Sequence, residues 1–269
     1  MTVFASDVSA LVERFLPIVS SVAISMGRPA GSALVLPVFT RAQLGGPVRG
    51  AIAFVLGLAA VPGISSELAA HPVSLPLLAL LGTKEVFVGL LIGVLLGVPI
   101  WSVQCAGEFL DTQRSATQDK QPEPGSGNQN STTATFLGMT VVALFVLSGG
   151  LNALVSTIGA SYGVWPALQF LPLPTTGWGD FLLGLLDGIA RVSLSLAAPV
   201  VLGMVLCEAC VILLMRAVPK LHIYDLAPTL RNLMFVVLML AYAQFLVAYM
   251  HREIEHLQGV AAQLRELLR

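Results

Sequence analysis

An all-α, integral-membrane-type fold is what this sequence predicts, and three observations predict it. Of 269 residues, 56% are hydrophobic and only 11% are charged, whereas soluble domains carry about 25% charged residues. The mean hydropathy is +0.85; a soluble fold would lack the polar groups to cover its surface. The apolar residues fall into about six hydrophobic segments broken by Pro, Gly and isolated charges, with one long polar loop, 115–133, among them. A formal net charge of −1 implies no nucleic-acid electrostatics.

In chain order, residues 1–40 read as helix interrupted by Glu13, Arg14, Pro17, Arg28 and Pro29. The uncharged stretches 15–27 and 29–40 are each too short to cross a bilayer alone, since about 20 apolar residues are needed. No basic stretch precedes an apolar run, so a cleaved signal peptide is not expected. Residues 41–49, with Gly45-Gly46-Pro47, read as a turn, 50–66 as a second apolar segment, and 67–76 as a connection. The stretch 75–106 would measure about 48 Å as one helix, more than the hydrocarbon core of about 30 Å. Its spanning part is therefore 86–107, bent at Pro99.

After the polar loop, 134–159 reads as one hydrophobic helix. Residues 162–179, rich in Pro and Trp, form a connection whose tryptophans suit an interface. A long helix over 180–218 carries Asp187, Arg191 and Glu208 and bends at Pro199; 219–228 is a turn and 232–250 a clean apolar span. Alternation puts Arg41, Arg49, Arg114, Lys120, Arg216, Lys220 and Arg231 on one side, which positive-inside makes cytoplasmic. The expected organisation is one helical domain over 1–250, with the polar loop inserted, and an amphipathic tail helix over 251–269. The tail's stripe, Leu257, Val260, Ala261, Leu264, Leu267 and Leu268, favours a partner protein over a membrane surface.

Small residues recur at four-residue spacing: Gly27/Gly31, Gly89/Gly93/Gly97, Gly159/Gly163 and Gly184/Gly188. In apolar helices this spacing lets backbones approach closely. The run Gly89, Gly93 and Gly97 predicts tight helix contact. Lys84 and Glu85 are neighbours that point to different faces and so call for separate partners or a wet edge, while Asp187 and Arg191 stand at i, i+4 and can pair. Gln104, Glu108 and Asp111 share a helix face at the base of the polar loop, with Arg114 three residues on.

No catalytic, metal or cofactor site accompanies these groups. Gly82-Thr83-Lys84 lacks the earlier glycine of a phosphate loop, and the four histidines form no H-E-x-x-H. Cys207-Glu208-Ala209-Cys210 fits C-x-x-C but lies in an apolar helical run without the βαβ context of a redox site or a second pair for zinc.

Residues 107–114, Gly-Glu-Phe-Leu-Asp-Thr-Gln-Arg, resemble the G-[DE]-hydrophobic-hydrophobic-D-N-Q-R-G motif of the SctT/YscT/HrcT family of type III secretion export-apparatus proteins, relatives of flagellar FliR. The resemblance extends to Gly31-Ser-Ala-Leu-Val-Leu-Pro-Val-Phe39 with Pro47-Val48-Arg49, to Lys84-Glu85 followed by Gly89 and Gly93, to Ala198-Pro199, and to 216–224. Thr112 replaces the usual Asn, Ser115 the usual Gly, and Arg231 stands where the virulence branch usually has Lys.

The resemblance implies a non-enzymatic subunit of an export gate at the bacterial inner membrane. It would form a helical pore for unfolded proteins with SctR-like and SctS-like subunits, beside an SctU-like switch protein and an SctV-like export gate. On that reading Glu108, Asp111, Gln113 and Arg114 fix the loop base, and the loop, with Gln118, Asp119 and Lys120, plugs or lines the pore. Lys84, Glu85, Asp187, Arg191, Arg216 and Arg231 are candidate inter-subunit contacts. The rivals are a flagellar export-gate subunit, a stand-alone ion- or proton-coupled transporter using Asp187, Arg191 and Glu208, and a scaffold whose loop is inert.

Overall fold

The computed structural model describes residues 15–41, 44–71, 73–114, 121–122, 129–130, 132–170, 178–217 and 227–257. Helix α1 covers 15–25. It is followed by α2 (Gly27–Val35), α3 (Pro37–Arg41), α4 (Gly46–Leu58), α5 (Val61–Ala70), α6 (Leu75–Arg114), α7 (Thr132–Leu147), α8 (Gly150–Val164), α9 (Trp178–Ala217) and α10 (Ala227–Leu257). The described residues outside helices include one two-residue antiparallel ladder in the polar loop, β1 (Gln121–Pro122) with β2 (Gln129–Asn130). The all-α class stands.

Among the described residues, four helical stretches are long and apolar enough to cross a membrane, and two bent helix pairs raise that to six. Three segments differ from the sequence reading. Phe15–Val35 qualifies as a span by length and composition, although Arg28 seemed to split it; Arg28 is wholly buried and ion-paired within the chain. The second apolar segment runs from Gly46 to Ala70, past Glu67, and bends by 66° between Leu58 and Val61; Pro47 and Pro62 each stand in a first helical turn, where a missing N–H costs nothing. The stretch read as one helix over 134–159 is two, α7 and α8, with a break between them. The cause is Gly149, whose φ of +87° suits glycine alone at little cost. Nothing lies within 4 Å of a Cβ built there, so backbone conformation rather than packing sets the break.

The described residues group into two compact units. One takes those of 1–97, 150–178 and 257–269, and the other those of 98–149 and 179–256. The change of unit within α6 falls at Gly97–Val98, beside Pro99. At 40 residues, α6 is about 60 Å long, twice the thickness of a hydrocarbon core.

In the first unit α2 packs on α4 and crosses α6. The glycine spacing does this work reciprocally. A Cβ on Gly31 would fall on the Val86 carbonyl and one on Gly89 on the Arg28 carbonyl; Gly27 faces Glu85, and Gly93 faces Ser32. The obstructing atoms are largely backbone, which cannot swing aside. Gly97 is also buried. By contrast, Gly159, Gly163, Gly184 and Gly188 have nothing within 4 Å, so those spacings close no contact within the described chain. The tail helix expected over 251–269 lies outside the described residues beyond Leu257, as does most of the turn read at 219–228.

Candidate functional site

The base of the polar loop is built in the second unit from the end of α6 and the start of α7. Gly107 lets these two helices touch: a Cβ there would meet the Ala134 backbone at 2.5 Å from Cα. One turn on, the buried Asp111 carboxylate accepts two hydrogen bonds from Thr133, from its amide at 2.7 Å and its hydroxyl at 2.6 Å. A helix leaves its first amides without intrahelical partners; here a carboxylate from another helix satisfies one and favours the positive end of the α7 dipole. The two ends of the loop are thereby joined at a neck, and β1 and β2 pair beyond it.

Arg114 closes the neck. Its Nε lies 3.8 Å from an Asp111 oxygen, and its guanidinium stands 4.2 Å from the centroid of the buried Phe235 ring on α10. Glu108 is half-buried and Gln113 exposed. Gln118, Asp119 and Lys120 lie outside the described residues.

A second polar cluster occupies the first unit, where α2, α6 and α8 meet. Arg28 and Glu85 are both 0% exposed. Arg28 donates from Nε to one Glu85 oxygen at 2.6 Å and from Nη2 to the other at 3.1 Å. Its Nη1 donates to the Ser161 hydroxyl at 2.7 Å, and Nη2 also reaches the Trp165 carbonyl. The guanidinium stacks over Tyr162 at 4.0 Å. Lys84 donates to the carbonyls of Pro166, Ala167 and Gln169 at 3.0, 2.7 and 3.1 Å. The Lys84 ammonium also lies 2.7 Å from Glu85.

Lys84 and Glu85 do take separate partners, the three carbonyls and Arg28, and the flexible lysine stem also brings its ammonium onto the carboxylate. Two expectations are corrected here. Lys84 and Glu85 are buried against the chain's own residues rather than presented to a neighbour. Trp165, read as an interface residue, is 5% exposed and donates its indole N–H to Gln169.

The remaining charges behave differently. Arg231 donates to Glu208 across α9 and α10, so it too has a partner within the chain. Asp187 and Arg191 are exposed, and among the described residues no ion pair joins them despite the i, i+4 spacing. Arg216 is exposed. Cys105, Cys207 and Cys210 are free thiols. Among the described residues no group of three His, Cys, Asp or Glu is placed to hold a metal ion. An apolar cleft of about 500 Å³ opens in the first unit, lined among others by Leu56, Ala60, Gly63, Ile64, Ile158 and Tyr162.

The sequence singled out Asp111, Arg114, Lys84 and Glu85 but not Thr133, Phe235 or Ser161, and it treated Arg28 as a helix breaker. Two signals were readable. Thr132-Thr133 opens the apolar run after the loop, where a helix start wants polar groups, and Arg28 sits between Gly27 and Gly31.

Comparison with known proteins adds an independent line. The family described as Bacterial export proteins, family 1, matches residues 19–257. The Yop proteins translocation protein T of Yersinia pestis is 30% identical over 217 residues, covering 80% of this chain and 83% of that protein. The Surface presentation of antigens protein SpaR of Salmonella typhimurium is 31% identical over 227 residues, covering 84% and 83%. The Flagellar biosynthetic protein FliR of Bacillus subtilis is 26% identical over 152 residues, covering 54% and 56%.

Proposed function

Because the chain belongs to the bacterial export proteins, family 1, we propose that it is a non-enzymatic subunit of the export gate of a type III secretion apparatus in the bacterial inner membrane. With SctR-like and SctS-like subunits it forms the pore that unfolded proteins traverse, next to an SctU-like switch protein and an SctV-like export gate. The observation that carries this reading is the similarity over most of the chain to the Yop proteins translocation protein T and to SpaR, at higher identity than to flagellar FliR of Bacillus subtilis.

The structure supports the reading in physical terms. The described part of α9 has an apolar window only 17% buried, and that of α10 one only 11% buried. Yet α9 carries exposed Asp187 and Arg191, each costing about 2.5–3.5 kcal/mol at the centre of a lipid-facing helix. A protein neighbour removes that cost by pairing them. Asp187, Arg191 and Arg216 are therefore the contacts through which other subunits engage this chain, while Lys84, Glu85 and Arg231 keep their in-chain partners in the assembly. The loop held by Asp111 and Arg114 closes the pore.

Purification in mild detergent tests the assembly: the chain copurifies with SctR-like and SctS-like subunits, and a stable, solitary monomer with transport activity in liposomes would favour the transporter instead. Deleting 117–130 tests the gate. Ion leakage through the assembled apparatus rises; unchanged leakage and secretion would leave the loop an inert linker.

A further inference from the structure

The neck of the polar loop has a leg that lies far from its sequence motif. Arg114 has its Nε buried without a hydrogen-bond partner among the described residues. The Asp111 oxygen paired with this Nε is 3.8 Å away, beyond hydrogen-bond reach. The Phe235 ring stands 4.2 Å from the guanidinium carbon. A ring face is negative and attracts a cation most where water is excluded, and Phe235 is 6% exposed.

Phe235 does not stand alone on α10. Arg231, Phe235 and Leu238 follow at spacings of four and three, which puts them on one helix face. Arg231 donates to Glu208 of α9. Leu238 fills the space that a Cβ on Gly203 of α9 would take. The same face of α10 thus grips α9 at two points and holds Arg114 of α6 at a third. Asp111, three residues before Arg114, holds the first turn of α7.

We infer that Phe235 is a positioning residue of the polar loop, holding its neck to the α9–α10 pair through the Arg114 guanidinium. A displacement of α10 along α9 shifts the Phe235 ring, and with it the side chain that closes the loop base. Deletion of the loop bears on whether the loop gates at all; Phe235 bears on where its neck sits. The inference deepens the proposed function at the same site and rests on it only for its consequence in transport.

The test uses the full chain with Cys105, Cys207 and Cys210 replaced by Ala and a reporter thiol, Leu137→Cys, on the second turn of α7, where Leu137 is 4% exposed. The rate of modification by a water-soluble maleimide reads release of the neck. Phe235→Leu keeps the site apolar but removes the ring, and the rate rises about 2- to 30-fold, the range that a cation–π contact of this kind spans. Phe235→Tyr keeps the ring face and stays near the parent rate. Arg114→Met raises the rate as Phe235→Leu does, and the double variant is no faster than either single one. An unchanged rate in Phe235→Leu, or effects of the two substitutions that multiply, overturns the inference. Leakage through the assembled apparatus is then measured for Phe235→Leu beside the 117–130 deletion. A deletion without leakage removes the gate reading and leaves the thiol result standing; a leaking deletion with a silent Phe235→Leu removes the positioning role in transport.

Discussion

Replacing Glu85 with Gln removes the single negative charge from a site that holds two positive ones. Glu85 is 0% exposed, accepts from Arg28 through both oxygens, and lies 2.7 Å from the Lys84 ammonium. Gln is nearly isosteric, so packing is preserved and the electrostatic loss is isolated. An uncompensated buried charge left by removing one partner costs about 3–5 kcal/mol, and water does not reach the site to screen it. A change of 1 kcal/mol shifts the unfolding midpoint of a chain of 150–250 residues by about 2–4 °C, so the midpoint in detergent falls by about 6–20 °C. The second arm is Arg28→Met with Glu85→Met, which removes both members of the bidentate pair and leaves Lys84 on its three carbonyls. Replacing a whole buried pair by apolar groups is far milder than breaking it. The double variant therefore unfolds above Glu85→Gln. If Glu85→Gln melts within about 2 °C of the parent, or if Arg28→Met and Glu85→Met add within about 0.5 kcal/mol, the coupling drawn between α2 and α6 is wrong.

Further outcomes follow from the glycine contacts and the loop neck. Gly89→Ala drives a methyl into the Arg28 carbonyl and destabilises the purified chain by about 1–3 kcal/mol, the usual cost of overpacking. Gly188→Ala, with nothing within 4 Å, is neutral or gains about 0.5–1 kcal/mol from lower backbone entropy; equal melting shifts for the two would refute the crossing. Asp111→Ala leaves the Thr133 amide buried without its acceptor and costs about 1–3 kcal/mol, read as a lower denaturation midpoint. Thr133→Ser keeps both donors and moves that midpoint much less, and a shift as large as that of Asp111→Ala would mean the two hydrogen bonds do not hold the neck.

What the sequence revealed and what it hid divide along a physical line. Composition and segment length sufficed for the helical membrane-type class, since both are sums over residues that neighbours do not change. Gly89 and Gly93 of the glycine run predicted close approach for the same reason: a missing side chain acts the same way whichever helix arrives. The helix breaks were harder. Ser148-Gly149-Gly150 lies in an uninterrupted apolar run, and only the positive φ at Gly149 turns the chain there. Arg28 was hardest of all, because a charge in an apolar stretch looks like an interruption until its partner is known. That partner is 57 residues away, and Ser161 is 133 away.

The treatment of charge also separates the two kinds of ionisable group on this chain. Arg28, Lys84, Glu85, Asp111 and Glu208 have their partners within one unit, at distances set by helix crossings and caps. Asp187 and Arg191 are exposed on an apolar helix and, among the described residues, do not pair although their spacing would permit it. Ion pairs at i, i+4 on exposed helices contribute only about 0.2–0.5 kcal/mol, too little to offset several kcal/mol of lipid exposure. Self-pairing would therefore not make this face comfortable in lipid, whereas a protein surface with opposite charges would. Charge reversal at Asp187 should accordingly impair assembly with partner subunits while leaving the melting of the isolated chain nearly unchanged, the reverse of the pattern at Glu85. That contrast separates a residue that holds the subunit together from one proposed to hold it to its neighbours.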